Sequence, residues 1–223
     1  MSYWRKTWAL IAKDLALERR TREAFSVMFL FAVMVVVIFN FAFELRVDNV
    51  LQVAPGALWV AFAFAGVLGL NRSLAHERED GCLEGLMLAP VDRGVIFVAK
   101  AVANLLFIGG TEVIILPLFT VLFGVSVLRA DLLVVLLLGT VGLAALGTLL
   151  SAMAVHTRAR DVLLPVLLLP ISVPLLIAAA RATAGLLDGV GLSGVAGWLQ
   201  LLMAFDVVFA AVSYVLFEYV LEE

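Results

Sequence analysis

The chain has 223 residues, 64% hydrophobic and 15% charged, with a mean hydropathy of +1.14. Soluble domains run at about 45–50% apolar and about 25% charged. These charges cannot clothe a water-facing surface, so lipid is the expected solvent. Intrinsic disorder and a basic nucleic-acid-binding surface are excluded by the same figures. The single cysteine, Cys82, rules out an intrachain disulfide and a multi-cysteine metal site.

Residues 3–20 open the pattern. Trp4, Trp8, Ile11 and Leu15 recur at spacings of four, three and four, with Lys, Arg, Asp and Glu between them. That is one face of a helix. The spacing predicts an amphipathic helix in the membrane interface, its tryptophans at headgroup level. A soluble helix packed on a partner is the alternative.

A membrane helix needs about 20 apolar residues to cross about 30 Å of hydrocarbon. Six stretches qualify: 24–43, 55–74, 95–121, 132–155, 162–180 and 198–220. The first is too long for a signal-peptide core and lacks a small-residue cleavage pattern, so it is expected to stay as an anchor. The second carries Arg72 near one end, where it can snorkel. The third includes Lys100, Glu112 and Pro117, and the sixth includes Asp206 and Glu218. A charged carboxylate at mid-span costs at least about 2.5–3.5 kcal/mol. Glu112 and Asp206 are therefore expected to be neutral, paired or facing a wet cavity, in either a functional or a purely structural role. Asn71 and Asn104 read as interhelical hydrogen-bond donors.

The fourth span carries Gly139, Gly142, Ala144, Gly147 and Ser151, small residues that permit close helix approach. Core packing and a seam between two copies both fit. In the fifth, Pro165, Pro170 and Pro174 each remove a backbone donor and are expected to break or bend the helix. A hinge, a dipping hairpin and a static kink are the options. The glycines from Gly185 to Gly197 read as an outer loop, with a short interfacial helix around 183–187.

Lysine and arginine counts set the orientation. Assigned to alternating sides, the 15 basic residues divide twelve against three: the minority is Arg46, Arg129 and Arg181. Both termini are thereby expected in the cytoplasm. The fold class expected is an all-α integral membrane protein in a single domain over 1–223. It has six transmembrane helices, an N-terminal interfacial helix and one short loop helix.

That loop helix lies in the connection after the second span. Glu77, Arg78, Glu79 and Asp80 precede Gly81-Cys82-Leu83-Glu84-Gly85-Leu86-Met87-Leu88-Ala89-Pro90. Asp80 can cap a helix over about 81–89, Leu83, Leu86 and Met87 form its apolar face, and Pro90 stops it. So short a helix is marginal alone and needs a surface to lie against. Acidic flanks favour a groove on a soluble protein over lipid.

Three stretches resemble the haem exporter protein B family, CcmB, the ABC-type permease of cytochrome c maturation. They are Ala54-Pro55-Gly56-Ala57-Leu58-Trp59-Val60-Ala61, Asp80 to Pro90, and Leu169-Pro170-Ile171-Ser172-Val173-Pro174-Leu175-Leu176; Leu136-Leu137-Leu138-Gly139-Thr140 also fits. The resemblance, which covers nearly the whole chain, implies an ABC-2-type permease fold in the bacterial inner membrane. By it, 81–89 is a coupling helix seated in the ATPase subunit CcmA. Glu79, Asp80, Gly81, Leu83, Glu84, Leu86 and Met87 would make the contact. Two copies are expected, with CcmC, the accessory CcmD and the haem chaperone CcmE as further partners. The implied action is ATP-driven haem handling and release of loaded CcmE. ATP and Mg belong to CcmA, since this chain has no Gly-x-x-x-x-Gly-Lys-[Ser/Thr]. No cofactor, metal or catalytic residue is assigned to the chain itself. A generic ABC-2 exporter of lipid, glycan or drug and a non-transporting scaffold for the ATPase are the rival readings. Gly191-Leu192-Ser193-Gly194 matches a rhomboid-protease pattern, but no histidine is expected on its side to serve as base.

Overall fold

A computed structural model describes residues 3–44, 52–79, 91–155, 157 and 160–220. Its long elements are all helices: α1 (Tyr3–Thr21), α2 (Glu23–Glu44), α3 (Ala54–Glu79), α4 (Arg93–Phe123), α5 (Ala130–Val155), α6 (Arg160–Leu187) and α8 (Ala196–Val220). The short α7 (Gly191–Gly194) lies before α8. Six of them, α2 to α6 and α8, are long and apolar enough to cross a membrane. The chain is an all-α, multi-pass membrane protein.

Local chemistry fixes several ends. Asp92 caps α4 by accepting from the Gly94 amide at 2.7 Å, and Gly124 closes the helix in the left-handed region at φ 64°. Arg22, at φ 56°, ends α1 in the same region. Its amide donates to the Glu18 carbonyl at 2.7 Å, the bond of a left-handed cap. The Glu18 carboxylate then accepts from the Phe25 amide at 2.7 Å and caps α2. One residue thus closes one helix and starts the next.

α3 and α5 form the centre. Their spans are 72% buried, against 22–33% for the other four. Lipid tails are as apolar as leucine, so close packing and interhelical hydrogen bonds must hold the bundle. Small residues make that approach possible. A Cβ at Gly139 would enter the Trp59 ring, and one at Gly147 would meet Leu70. The Trp59 indole donates to Thr183 at 3.0 Å, tying α3 to α6, and Ser151 donates to the Leu70 carbonyl at 2.8 Å. Asn104 donates to Thr148 at 2.9 Å, joining α4 to α5 as expected of that residue.

The structure narrows three expectations. The small residues of the fourth span do not form a seam for a second copy: Gly139, Gly142 and Gly147 face α3, α6 and α8 of the same chain, and Ser151 is 3% exposed. α6 runs on from Arg160 to Leu187 through Pro165, Pro170 and Pro174, which excludes a break or a dipping hairpin in the fifth span. Pro170 and Pro174 are exposed on the outer surface of the bundle, and all three rings are accommodated within the one helix. Residues 183–187 are the last turn of that helix and not a separate interfacial element.

Candidate functional site

Segment 80–90, with Asp80, Gly81, Leu83, Glu84, Leu86 and Met87, lies outside the described residues, as does Cys82. Glu79 is the last residue of α3. Both attachment points of the segment are therefore visible: the end of α3 and the first turn of α4.

The start of α4 is held from two sides. Arg93 donates to the Glu218 carbonyl of α8 at 3.2 Å. Phe97 meets Tyr214 edge-on at 6.2 Å between centroids and Phe217 at 5.3 Å. From the other side α1 packs on α4 through Thr7, Ile11 and Asp14, all buried. Asp14 reaches Lys100 of α4 at 2.8 Å, with both side chains almost fully buried at 7% and 5% exposure. Lys13, half in solvent, lies 3.3 Å from the same carboxylate. Buried charges persist where they are paired, and this pair latches α1 to the helix that carries segment 80–90.

The latch was not read from the sequence. The pattern places Asp14 on the polar face of an interfacial helix and Lys100 within the third span, with nothing to pair them. The signal was present: Thr7, Ile11 and Asp14 repeat at i, i+4 and i+7, and a lone lysine in an apolar run needs an acid. The expected stripe of Trp4, Trp8, Ile11 and Leu15 divides. Ile11 is buried, whereas Trp4 and Trp8 are 74% and 68% exposed, on the side of α1 open to lipid or solvent.

Two acids lie deeper, each against α5. Thr140 and Asp206 are each ten residues into their helices, about 15 Å at 1.5 Å per residue. The Thr140 hydroxyl is 2.6 Å from Glu112 and 2.7 Å from the Leu136 carbonyl, and its one proton serves one acceptor at a time. Asp206 faces Gly142 and Leu175. Among the described residues neither of its carboxylate oxygens has a hydrogen-bond partner, nor has the Ser213 hydroxyl. The structure does not bring the two acids together: Glu112 occupies the α4–α5 seam and Asp206 the α5–α8 seam.

The family model described as "CcmB protein" matches residues 5–221. Heme exporter protein B of Rhodobacter capsulatus is 35% identical over 194 residues, covering 85% of this chain and 89% of that protein. The protein of the same name from Pseudomonas aeruginosa is 33% identical over 187 residues, 83% of each chain. That of Paracoccus denitrificans is 34% identical over 175 residues, 78% of this chain and 80% of its relative.

Proposed function

The chain belongs to the CcmB protein family, and from that membership we propose that it is the membrane-spanning permease subunit of an ABC-type haem exporter system. The observation that carries the reading is the match over residues 5–221, reinforced by relatives named heme exporter protein B. Transport, not catalysis, is the role of such a subunit.

The mechanism proposed is mechanical. A separate ATPase subunit, CcmA, binds ATP and Mg, closes on binding and reopens after hydrolysis. Segment 81–89 is the coupling helix it grips, through Glu79, Asp80, Gly81, Leu83, Glu84, Leu86 and Met87. Force enters at the end of α3 and the first turn of α4. The Arg93 and Phe97 contacts with α8 and the Asp14–Lys100 pair with α1 carry it into the bundle as the movement of a braced unit. Haem is the cargo of the system, with CcmC, CcmD and the chaperone CcmE as the other members and release of loaded CcmE as the output. Both termini face the cytoplasm of a bacterial inner membrane, as the basic residues require, and two copies complete the permease.

The test is purification with CcmA, with and without Leu83→Asp plus Leu86→Asp. The paired substitution places two charges on the apolar face and is expected to release the ATPase from the membrane subunit and stop ATP-dependent release of loaded CcmE. Retention of the ATPase together with continued release refutes the assignment of the coupling helix.

A further inference from the structure

The junction of α1 and α2 and the flank of α4 enclose a cavity of about 780 Å³. Phe25, Phe29 and Leu30 of α2 and Leu106 and Phe107 of α4 give it an apolar wall. Leu30 and Leu106 are 70% and 47% exposed, so the cavity opens on the outer surface of the spanning bundle, where lipid tails lie. Arg19 and Arg22 line its other end, where α1 gives way to the membrane-crossing α2.

That end is net cationic, two arginines against one carboxylate. Arg72 is taken by Glu23 at 2.7 Å, but no acid among the described residues pairs with Arg19 or Arg22. Glu18, the one carboxylate in the lining, already accepts from the Phe25 amide. Arg22 moreover occupies a left-handed backbone position, φ 56°, where glycine or asparagine is the usual residue. A cationic side chain stands at the position that glycine would fill with less strain.

We propose that this cavity binds an anionic glycerophospholipid, its phosphate between Arg19 and Arg22 and its acyl chains along the phenylalanine and leucine wall. Charge complementarity selects the occupant. A free phosphate uses the arginines and leaves the wall idle; a lipid without net charge uses the wall and leaves the cations unmatched. The anionic phospholipid uses both. The site lies beside the α1–α4 latch and does not depend on what the transporter carries.

The experiment uses the full-length protein in mild detergent, stripped of lipid and offered dioleoylphosphatidylglycerol, dioleoylphosphatidylcholine or sodium phosphate. Retained lipid is counted by native mass spectrometry. Each arginine near a membrane surface is worth roughly fivefold in affinity for anionic lipid, so the pair predicts a preference for the glycerol lipid of about thirtyfold. Arg19→Gln plus Arg22→Gln is expected to reduce that preference to near parity. Leu106→Trp narrows the cavity at its apolar wall, keeps both arginines, and is expected to reduce retention of the anionic lipid. Arg181→Gln, an exposed arginine elsewhere on the bundle, leaves the preference intact. Equal retention of the two lipids by the unmodified protein overturns the proposal. So does a preference that survives the double substitution, or displacement of the lipid by phosphate at equal concentration. If the double variant does not fold, Leu106→Trp decides alone: retention unchanged by the narrowed cavity overturns the proposal.

Discussion

Replacing Lys100 with Met tests whether α1 is held to α4 by the buried pair. Removing one partner of a buried salt bridge costs about 3–5 kcal/mol, because a charge is left buried. Lys13, 3.3 Å from Asp14 and half exposed, returns up to about 1 kcal/mol, as exposed pairs do. The net penalty is about 2–4 kcal/mol. On the other side is the apolar grip of α1. Ile11 is its one fully buried aliphatic side chain, worth about 1.5–3 kcal/mol. The penalty is comparable to the grip of Ile11, so undocking, which returns Asp14 to water, becomes far more frequent. The readout is maleimide labelling of Thr7→Cys, at a side chain 3% exposed, in a Cys82→Ser background. At 1.4 kcal/mol per tenfold, Lys100→Met is expected to raise the labelling rate about 30- to 700-fold. Adding Asp14→Leu converts the pair to an apolar contact and is expected to restore protection. A rate unchanged by Lys100→Met, or a double substitution labelled as fast as the single one, refutes the argument.

Three further outcomes are expected. Gly139→Ala pushes a Cβ into a Trp59 ring that its bond to Thr183 keeps from yielding; overpacking of this kind costs about 1–3 kcal/mol. It is read as a lower unfolding temperature in detergent, with Gly109→Ala, which meets open space, as the unaffected comparison. Asp206→Ala removes two buried oxygens that lack hydrogen bonds, each unmade bond costing about 1–3 kcal/mol, and is expected to raise the same midpoint; a fall shows that the carboxylate contributes net stability. Accessibility tags at Arg46 and Gly189 are expected to react from outside the cell and tags at Ala89 and Glu223 from inside, and the reverse pattern refutes the orientation drawn from the basic residues.

What could be read from the sequence followed from one-dimensional physics. The length and apolarity of α2 to α6 and α8 mark them as spans with no knowledge of their neighbours. The glycines of α5 likewise announce close approach. What they approach is a property of three dimensions: Gly139 meets Trp59 some eighty residues earlier, and Gly142 meets Asp206 some sixty residues later. A pattern along one helix therefore left both the same chain and a second copy eligible. The Asp14–Lys100 pair was missed for a related reason. A charge on an amphipathic helix is ordinarily solvated, and only the neighbour reveals that Asp14 is on the buried edge. The prolines announced a break or a bend, and the structure excludes the break. Each removes one donor, but a helix already nucleated on both sides can lose single bonds and continue, and α6 does so through three prolines.

The polar contacts also decide which parts of the bundle move together. α5 receives Trp59 and the Leu70 carbonyl from α3, and Asn104 and Glu112 from α4. Each of these contacts is close-packed or hydrogen-bonded, and separating them would strand buried polar groups in an environment with no water to replace the partner. α3, α4 and α5 are therefore bound as one body, and α1 is added to it by the buried ion pair. The seam between α5 and α8 differs. It holds Asp206 without a hydrogen-bond partner among the described residues, so opening it uncovers a polar group instead of breaking a polar bond. A load applied between the end of α3 and the start of α4 meets a braced unit there. Of the two seams that hold a mid-span acid, only the one on α8 parts without breaking a hydrogen bond to its acid.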